Sequence, residues 1–289
     1  MRSINKIIGA SRVNMGGIFL DQPLPHRGID QISPFLLIHH WADILPGGQH
    51  QSELGVGPHP HRGFAPVTFI FKGNVQHRDS KGYVSTIHAG GTQWMNSGKG
   101  IIHSERPNQE LSEKGGDFEL IQFWVNAPAK EKMGEPNYIP LPKEETPVVT
   151  SKDGKVTVGV VAGTFDGKSS KISTYSPLFI LRMEGQKGGS IEIPIPVGYN
   201  ALTYQLDGAL KYNNDKDTKA KDMVWFNNDG QSIRIDFLAD TRVILLAGEP
   251  INEPLATYGP FVMNTQQEIM EAMRDYQSGK MGNLVEKFD

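Results

Sequence analysis

The chain has 289 residues, a formal net charge of −3 and no cysteine. The lack of cysteine excludes disulfides, thiolate metal ligands and cysteine nucleophiles, and the balanced charge argues against a dedicated nucleic-acid-binding protein. The N-terminal segment lacks the apolar core of a signal peptide, and no apolar stretch approaches the roughly 20 residues of a membrane span. We therefore expect a cytoplasmic protein that binds neither a membrane nor nucleic acid.

Short runs of β-branched and aromatic residues recur along the whole chain. They are separated by many of the 32 glycines and 19 prolines. Closely spaced short strands with turn signals between them are typical of a β-sandwich or a β-barrel. The runs are 35–38, 67–71, 118–125, 156–161, 178–183, 201–206, 223–226 and 243–246. The sequence therefore predicts an all-β fold.

The two halves of the chain resemble each other. "VTFIFKGNV" at 67–75 matches "LTYQLDGAL" at 202–210, and "QWMNSGKGIIHSE" at 93–105 matches "VWFNNDGQSIRID" at 224–236 with nearly the same offset. Such an internal echo indicates two copies of one β-domain.

A proline-rich segment at 137–149 reads as the connector between the copies. We therefore place an N-terminal domain at residues 1–140 and a C-terminal domain at residues 141–289. In this alignment, prolines of the second half stand where the first half has His59 and His61, and Arg234 stands where it has His103. The C-terminal domain is thus expected to lack a histidine site.

One helix is predicted near the C-terminus. Thr265 and Glu268 form a capping-box pattern, and apolar residues recur at helical spacing from Ile269 to Tyr276. Gly279 marks the end of the pattern. We expect the apolar stripe to pack against the core.

Two pairs of polar residues carry the chemistry. His59 and His61 are separated by Pro60, which favours an extended backbone at the preceding residue. His103 and Glu105 have the same spacing. Because residues i and i+2 of a strand point the same way, each pair shares a face, and the four side chains can converge inside a barrel.

Three imidazoles and one carboxylate suit a divalent first-row metal. Fe(II) fits oxygen chemistry because such a site leaves positions open, and Mn, Co, Ni, Cu and Zn remain alternatives on the ligands alone. A hydrogen-bonded histidine cluster without metal is the other interpretation. Counting by twos from His61 makes Val67, Phe69 and Phe71 candidates for an apolar pocket wall.

The histidines outside these pairs are expected at the surface or in ordinary hydrogen bonds. His39 and His40 face opposite ways in a strand, so they cannot both point inward. His26 and His88 show no metal-ligand spacing. His77, within "HRDSKG", is the most favoured exception among them.

Four motifs together resemble the pirin family of the cupin superfamily. They are "HPHRGF" at 59–64, "HRDSKG" at 77–82, "QWMNSGKGIIHSE" at 93–105 and "YGPFVMN" at 258–264. The resemblance implies a bicupin, with two tandem cupin (jelly-roll-like) β-barrels, a C-terminal helix and metal in the N-terminal barrel alone.

The resemblance also implies site residues and activities. It implies iron held by His59, His61, His103 and Glu105, with Glu105 as the candidate catalytic residue. Some pirins are quercetin 2,3-dioxygenases, which open a flavonol ring with O₂. Eukaryotic members resemble transcriptional co-regulators that bind partner proteins. A metal-dependent dioxygenase acting on a flavonol and a metal-binding regulatory protein with a protein partner are the two functions considered.

The chain departs from the family at one position. Pirins usually read "HPHRGFE", whereas here the last residue is Ala65. A glutamate after the histidine pair is a metal ligand in many other cupins. Because alanine cannot coordinate metal, Glu105 is the carboxylate expected at the site.

Overall fold

The computed structural model describes residues 1–288; Asp289, the last residue of the predicted C-terminal domain, lies outside them. Strands make up 53% of the chain and helices 9%, which confirms the predicted all-β class with its C-terminal helix. Within residues 1–288, no helix is long and apolar enough to cross a membrane.

The elements follow each other as short strands with few helical segments. Those of the first half are β1 (Ile4–Gly9), β2 (Ser11–Met15), β3 (Ile18–Leu24), β4 (Phe35–Leu45), β5 (Val56–His61), β6 (Phe64–Lys72), β7 (Asn74–Asp79), β8 (Val84–His88), β9 (Thr92–Asn96), β10 (Ile101–Arg106), α1 (Gln109–Lys114), β11 (Gly116–Asn126) and β12 (Asn137–Leu141). Short 3₁₀ turns lie at Gln51–Glu53, Ala129–Glu131 and Lys143–Glu145.

The second half continues the same pattern and ends in a helix. Its elements are β13 (Val148–Thr150), β14 (Val156–Ala162), β15 (Thr164–Phe165), β16 (Lys168–Ser169), β17 (Leu178–Gly185), β18 (Ser190–Pro194), β19 (Asn200–Gln205), β20 (Ala209–Tyr212), β21 (Lys216–Lys219), β22 (Asp222–Phe226), β23 (Ser232–Phe237), β24 (Thr241–Gly248), β25 (Ala256–Tyr258), β26 (Phe261–Met263) and α2 (Gln266–Gln277).

The chain divides into two compact units, and each unit contains one end of the chain together with an internal segment. One unit contains residues 38–145 together with the chain from residue 251 onward, and the other contains residues 1–37 and 146–250. We call them the first and the second unit. The chain passes between them after residues 37, 145 and 250, whereas the sequence places a single boundary between residues 140 and 141, which stays a prediction.

The first unit contains two large sheets and the two-stranded sheet β25-β26. One large sheet includes the neighbouring strands β12-β9-β6-β11-β4, and the other is the four-stranded sheet β5-β10-β7-β8. The interior at one end is closed by apolar side chains, including Ile70, Val75 and Phe118. The polar pairs predicted from the sequence lie on β5 and β10, which are neighbours in the four-stranded sheet.

The second unit repeats this plan. Its four-stranded sheet has the order β18-β23-β20-β21, the counterpart of β5-β10-β7-β8, and its larger sheet has the order β1-β22-β19-β24-β17-β14-β13. The same antiparallel pairing in the same chain order supports the duplication inferred from the sequence.

The interior of the second unit is filled by apolar side chains. Ile193 of β18 pairs with Ile233 of β23, and both are fully buried in its core cluster. The sequence alignment instead set Pro194 and Arg234 against histidines of the first half. That alignment is displaced in this sheet, because Pro194 is exposed and Arg234 is bound to Asp236 by its guanidinium.

Helix α2 begins with the predicted capping box. The Thr265 side chain accepts from the Glu268 backbone N–H, and the Glu268 carboxylate accepts from the Thr265 backbone N–H. Ile269 and Ala272 are buried against Ile102 of β10 and the apolar residues around it, which confirms the first part of the core-facing stripe, whereas Tyr276 at its end is exposed. The helix thus covers the outer face of the strand that carries two of the predicted ligands.

The chain beyond α2 continues along the same sheet. The Met281 carbonyl accepts from the Ser80 hydroxyl at 2.8 Å. The Glu286 carboxylate then accepts hydrogen bonds from Nε and Nη2 of Arg106, at 2.7 and 2.8 Å. The ring of Phe288 lies 5.7 Å from the Arg106 guanidinium carbon. We call residues 278–288 the C-terminal tail.

Candidate metal centre

Three histidines converge between β5 and β10. The two strands are antiparallel, and His103 lies opposite His59. His59 Nε2 and His61 Nε2 are 3.1 Å apart. One ligand nitrogen from each histidine can be chosen so that all three lie within 4.8 Å of one another. The alternation of side chains therefore brings the predicted histidines together.

The cluster fits a first-row divalent metal. Two nitrogens bound about 2.1 Å from one ion at a right angle would be about 3.0 Å apart, close to the observed separation of the His59 and His61 nitrogens. His103 Nε2 is buried without a hydrogen-bond partner. Such an atom costs about 1–3 kcal/mol unless a ligand satisfies it.

Electrostatics keep the buried imidazoles in the form that binds metal. Burial lowers the pKa of His61 well below its ordinary value, and the neighbouring His59 lowers it further, while the Pro260 carbonyl acts in the opposite direction. Burial and three neighbouring imidazoles, His59, His61 and His77, lower the pKa of His103 in the same way. Metal ligation requires neutral imidazole.

Glu105 lies next to His103 but outside the group that the three histidines form. Its Oε2 is 3.9 Å from His103 Nε2. Its Oε1 accepts from the Thr68 hydroxyl at 3.0 Å and the Gln93 amide at 2.5 Å, and Oε2 accepts from the Gln122 amide at 2.8 Å. All three neighbours donate, so they hold the carboxylate as an acceptor with Oε2 turned towards His103.

Two aromatic side chains orient the amides. The Tyr138 hydroxyl donates to Gln93 Oε1, and the Trp124 indole donates to Gln122 Oε1, each at 3.1 Å. Because each amide oxygen is occupied, each NH₂ group must face Glu105. Sequence reasoning missed these two glutamines. The signal was a polar residue inside a buried strand, where an unpaired amide would be costly.

The space beside Glu105 is small. A cavity of about 10 Å³ lies among Thr68, Met95, Tyr138 and the carboxylate. This volume holds about one water molecule. His59 is only partly buried, whereas His61 and His103 are each 2% exposed. The histidine cluster is therefore most open at His59.

A buried lysine supports the loop that follows His61. Lys132 is 1% exposed. Its Nζ donates to the Gly63 carbonyl at 2.8 Å, to Asn126 Oδ1 at 2.6 Å and to the Val262 carbonyl at 3.1 Å. Burial lowers the pKa of Lys132 to about 8, although Glu253 and Glu268 act against this shift. The lysine links the ligand strand to β26.

Replacing Lys132 with methionine should lower the free energy of unfolding by about 3 kcal/mol, because three buried acceptors lose their donor. Urea denaturation at neutral pH measures this loss. The control is Lys130→Met, since Lys130 is exposed and lies in the same turn. A loss below about 0.5 kcal/mol for Lys132→Met, within the range of surface substitutions, would contradict the supporting role.

The comparisons with known proteins agree with this architecture. Residues 18–125 match the family model described as Pirin, and residues 180–282 match the model of the Pirin C-terminal cupin domain. The chain belongs to the pirin family. This confirms the resemblance seen in the sequence motifs and the predicted bicupin fold with two cupin domains.

Individual pirins align over most of the chain. Pirin-like protein 2 of Arabidopsis thaliana is 37% identical over 281 residues, which cover 93% of this chain and 83% of that protein. The crystal structure of a quercetin 2,3-dioxygenase from Acinetobacter baumannii has a TM-score of 0.93 at 33% identity, covering 99% and 100% of the two chains. A bacterial pirin from Escherichia coli, solved in complex with nickel(II), shares the fold at 21% identity with a TM-score of 0.65, covering 85% and 99%.

A glycine sets which residues of β6 face the site of this pirin. Gly63 has a φ of 86°, and a Cβ there would collide with the Val262 carbonyl oxygen. The turn at Gly63 interrupts the alternation that runs through β5. Pro66 and Thr68, rather than their odd-numbered neighbours, therefore border the cavity beside Glu105.

The predicted apolar pocket wall of Val67, Phe69 and Phe71 lies on the other face of β6. Phe69 packs edge-on against Phe123, with ring centroids 5.1 Å apart, and not against the site. Ala65 shares this face by alternation and is buried. A glutamate at position 65, as pirins usually have, would point away from the histidines on this backbone.

Two of the other predicted surface or hydrogen-bonding histidines are buried. His40 Nε2 lies 3.0 Å from the Glu119 carboxylate, inside the first unit. His77 is 1% exposed and lies beside His103. His88 is exposed on β8 and His26 is half-buried. His77 thus joins the surroundings of the site, as the sequence favoured.

Proposed function

We propose that this pirin binds a divalent metal, iron by preference, through His59, His61, His103 and Glu105. The observation that carries the proposal is the convergence of three imidazoles around a buried, unpartnered His103 nitrogen, with a carboxylate oxygen 3.9 Å away. A bacterial pirin of the same fold has been solved with nickel(II), which supports a site for first-row metals. Imidazole donors also suit iron.

We further propose a quercetin 2,3-dioxygenase-type activity, in which a flavonol ring is opened with O₂. The similarity to a quercetin 2,3-dioxygenase of known structure over the full chain supports this substrate class. A bound redox-active metal supplies the means to bring the flavonol and O₂ together for electron transfer.

The protein's own residues would prepare the substrate. Glu105 Oε2 has one donor, Gln122, whereas Oε1 has two. Oε2 is therefore the atom that would either hold the metal or, when free of it, accept the proton of a flavonol hydroxyl group bound beside Glu105. The fixed amides of Gln93 and Gln122 keep this oxygen aimed during the transfer.

The substrate would approach from the side of His59. A flavonol is far larger than the cavity of about 10 Å³ beside Glu105, so its ring system must stay outside that cavity. His61 is shielded by Phe64 and Trp124, whose ring centroids lie 5.0 and 5.5 Å from its own. The partly buried His59 edge remains for the flavonol and O₂.

The test is aerobic quercetin turnover by iron-reconstituted protein, with metal content measured on the same sample. We expect about one iron per chain and turnover that is lost in His61→Ala. The control is His88→Ala, because His88 is exposed on β8. Turnover no higher in the wild type than in His61→Ala would overturn the dioxygenase proposal, and absence of bound metal would overturn the metal site.

The second candidate is a metal-binding regulatory protein that acts through a protein partner without turnover. The small cavity beside Glu105 favours this candidate, because a regulator needs the metal but no substrate pocket. Stoichiometric metal without flavonol turnover, together with a partner captured only by the metal-loaded form, would support it. Capture that is independent of metal would count against it.

A further inference from the structure

Behind His103 lies a buried carboxylate fixed by the backbone. Asp79, at the end of β7, is 3% exposed. Its Oδ1 accepts from the backbone N–H groups of Lys81 and Tyr83, at 2.9 and 3.1 Å. This leaves Oδ2 for the side chain of His77, whose Nε2 lies 2.9 Å away. One oxygen of Asp79 thus accepts from the backbone, and the other contacts His77.

His77 stands between Asp79 and His103. Its ring stacks on Tyr138, with centroids 3.9 Å apart and an interplanar angle of 10°. Its Nδ1 lies 3.4 Å from His103 Nδ1. The stack and the contact with Asp79 fix the ring, so the same nitrogen always faces His103. We call the row formed by Asp79, His77 and His103 the imidazole relay.

The order of protons along this row follows from the donor and acceptor rules. Asp79 Oδ2 is an acceptor, so His77 carries its proton on Nε2 and its Nδ1 presents a lone pair. Two facing lone pairs would repel, so His103 must carry its proton on Nδ1. His103 Nε2 is then unprotonated, and this is the buried atom that has no partner in the protein.

We propose that Asp79 and His77 are positioning residues that hold His103 in the tautomer able to bind metal through Nε2. The inference deepens the proposed metal site and rests on it. A metal-bound histidine commonly donates its other N–H to a carboxylate, a carbonyl or water. Here the His77 imidazole accepts from His103, and the Asp79 carboxylate accepts from His77 instead of from His103 itself.

The test exchanges the protonated and unprotonated ring nitrogens of His77 and His103 by a substitution that hardly changes the shape of the side chain. In Asp79→Asn, the amide oxygen must keep the two backbone N–H groups of Lys81 and Tyr83, so the NH₂ group takes the place of Oδ2. That group donates to His77 Nε2, which moves the His77 proton to Nδ1, opposite His103 Nδ1. His103 is then forced towards the tautomer protonated on Nε2.

Co²⁺ titration against a competing chelator measures the effect. We expect binding to Asp79→Asn to be about 10–100-fold weaker than to the wild type, with an altered Co²⁺ absorption spectrum. Asp117→Asn is the matched control, since Asp117 is an exposed carboxylate that pairs with Lys72. Affinity within twofold of the wild type and an unchanged spectrum would overturn the proposal.

A second measurement needs no variant. Long-range ¹H–¹⁵N spectra of the metal-free wild type report which ring nitrogen of each histidine is protonated. We expect protons on His77 Nε2 and His103 Nδ1; a proton on His103 Nε2 would overturn the relay.

The binding readout separates this inference from the proposed function. Wild-type protein that binds metal without turning over a flavonol would contradict the oxygenase but leave the relay standing. Wild-type protein that binds no metal would overturn both. Equal metal binding by wild type and Asp79→Asn would overturn the relay alone.

Discussion

Replacing Glu105 with glutamine should lower quercetin turnover by the iron-loaded protein by about 10³-fold. The amide has no site for the hydroxyl proton, and one end of it would present NH₂ to groups that now donate to the carboxylate. Thr68, Gln93 and Gln122 all donate to Glu105, so the NH₂ end of the new side chain faces a donor whichever way the amide is turned. Metal affinity should also fall, by about 10–100-fold.

The two effects are separated by measuring the turnover number at saturating iron. Glu113→Gln is the control, because Glu113 is exposed at the end of α1 and makes the same change of charge. Turnover by Glu105→Gln above about a tenth of the wild-type value would contradict the role of Glu105 as proton acceptor. Unchanged iron content alongside lost turnover would restrict Glu105 to the proton transfer.

Replacing Arg106 with leucine should lower the free energy of unfolding by about 3–5 kcal/mol. Its guanidinium holds the Glu286 carboxylate with two hydrogen bonds and donates to the carbonyls of Ser52 and Leu54 at 2.8 and 2.5 Å. Both members of the pair are 8% exposed at the side chain. Removing the arginine leaves a buried charge and two carbonyls without a partner.

The double variant Arg106→Leu, Glu286→Leu should recover part of this loss, because the uncompensated charge is gone. Arg27→Leu is the control, since Arg27 is exposed. Urea denaturation of all variants gives the comparison. A loss below about 1 kcal/mol for Arg106→Leu, or no recovery in the double variant, would contradict the proposed energetics.

Acid should weaken the same contact in the wild type. Burial raises the pKa of Glu286, but the hydrogen bonds and the charge of Arg106 outweigh this and lower it. A carboxyl with a lowered folded pKa stabilises the fold above its ordinary pKa, and this contribution is lost as the pH falls through the folded pKa. Between about pH 7 and about pH 3, the wild type should therefore lose more stability than the double variant.

The histidine pairs were predictable because they obey a local rule. Side chains two residues apart share a strand face, and nothing between His59 and His61 interrupts the strand. The rule failed two residues later, at Gly63, where a positive φ changes the face of β6. The turn could be suspected from the glycine, but the resulting face depends on β26, which is almost two hundred residues away in the sequence.

The surroundings of Glu105 were not predictable for a related reason. Gln93 and Gln122 reach the carboxylate from β9 and β11, and only the order of strands in the sheet brings them together. His77 was favoured on its motif, yet its contact with His103 depends on the pairing of β7 with β10. Local periodicity predicts the proposed ligands, whereas the groups that orient them depend on long-range strand pairing.

The division of the chain has a consequence for its synthesis. All three histidines have been synthesised once the chain reaches residue 103, but the first unit, which contains them, also includes the chain from residue 251 onward. That late segment supplies the Val262 carbonyl for Lys132 and Glu286 for Arg106. The unit that holds the three histidines is therefore completed only after the chain from residue 251 onward has been made, and a chain cut short after residue 250 would leave the outer face of β10 bare.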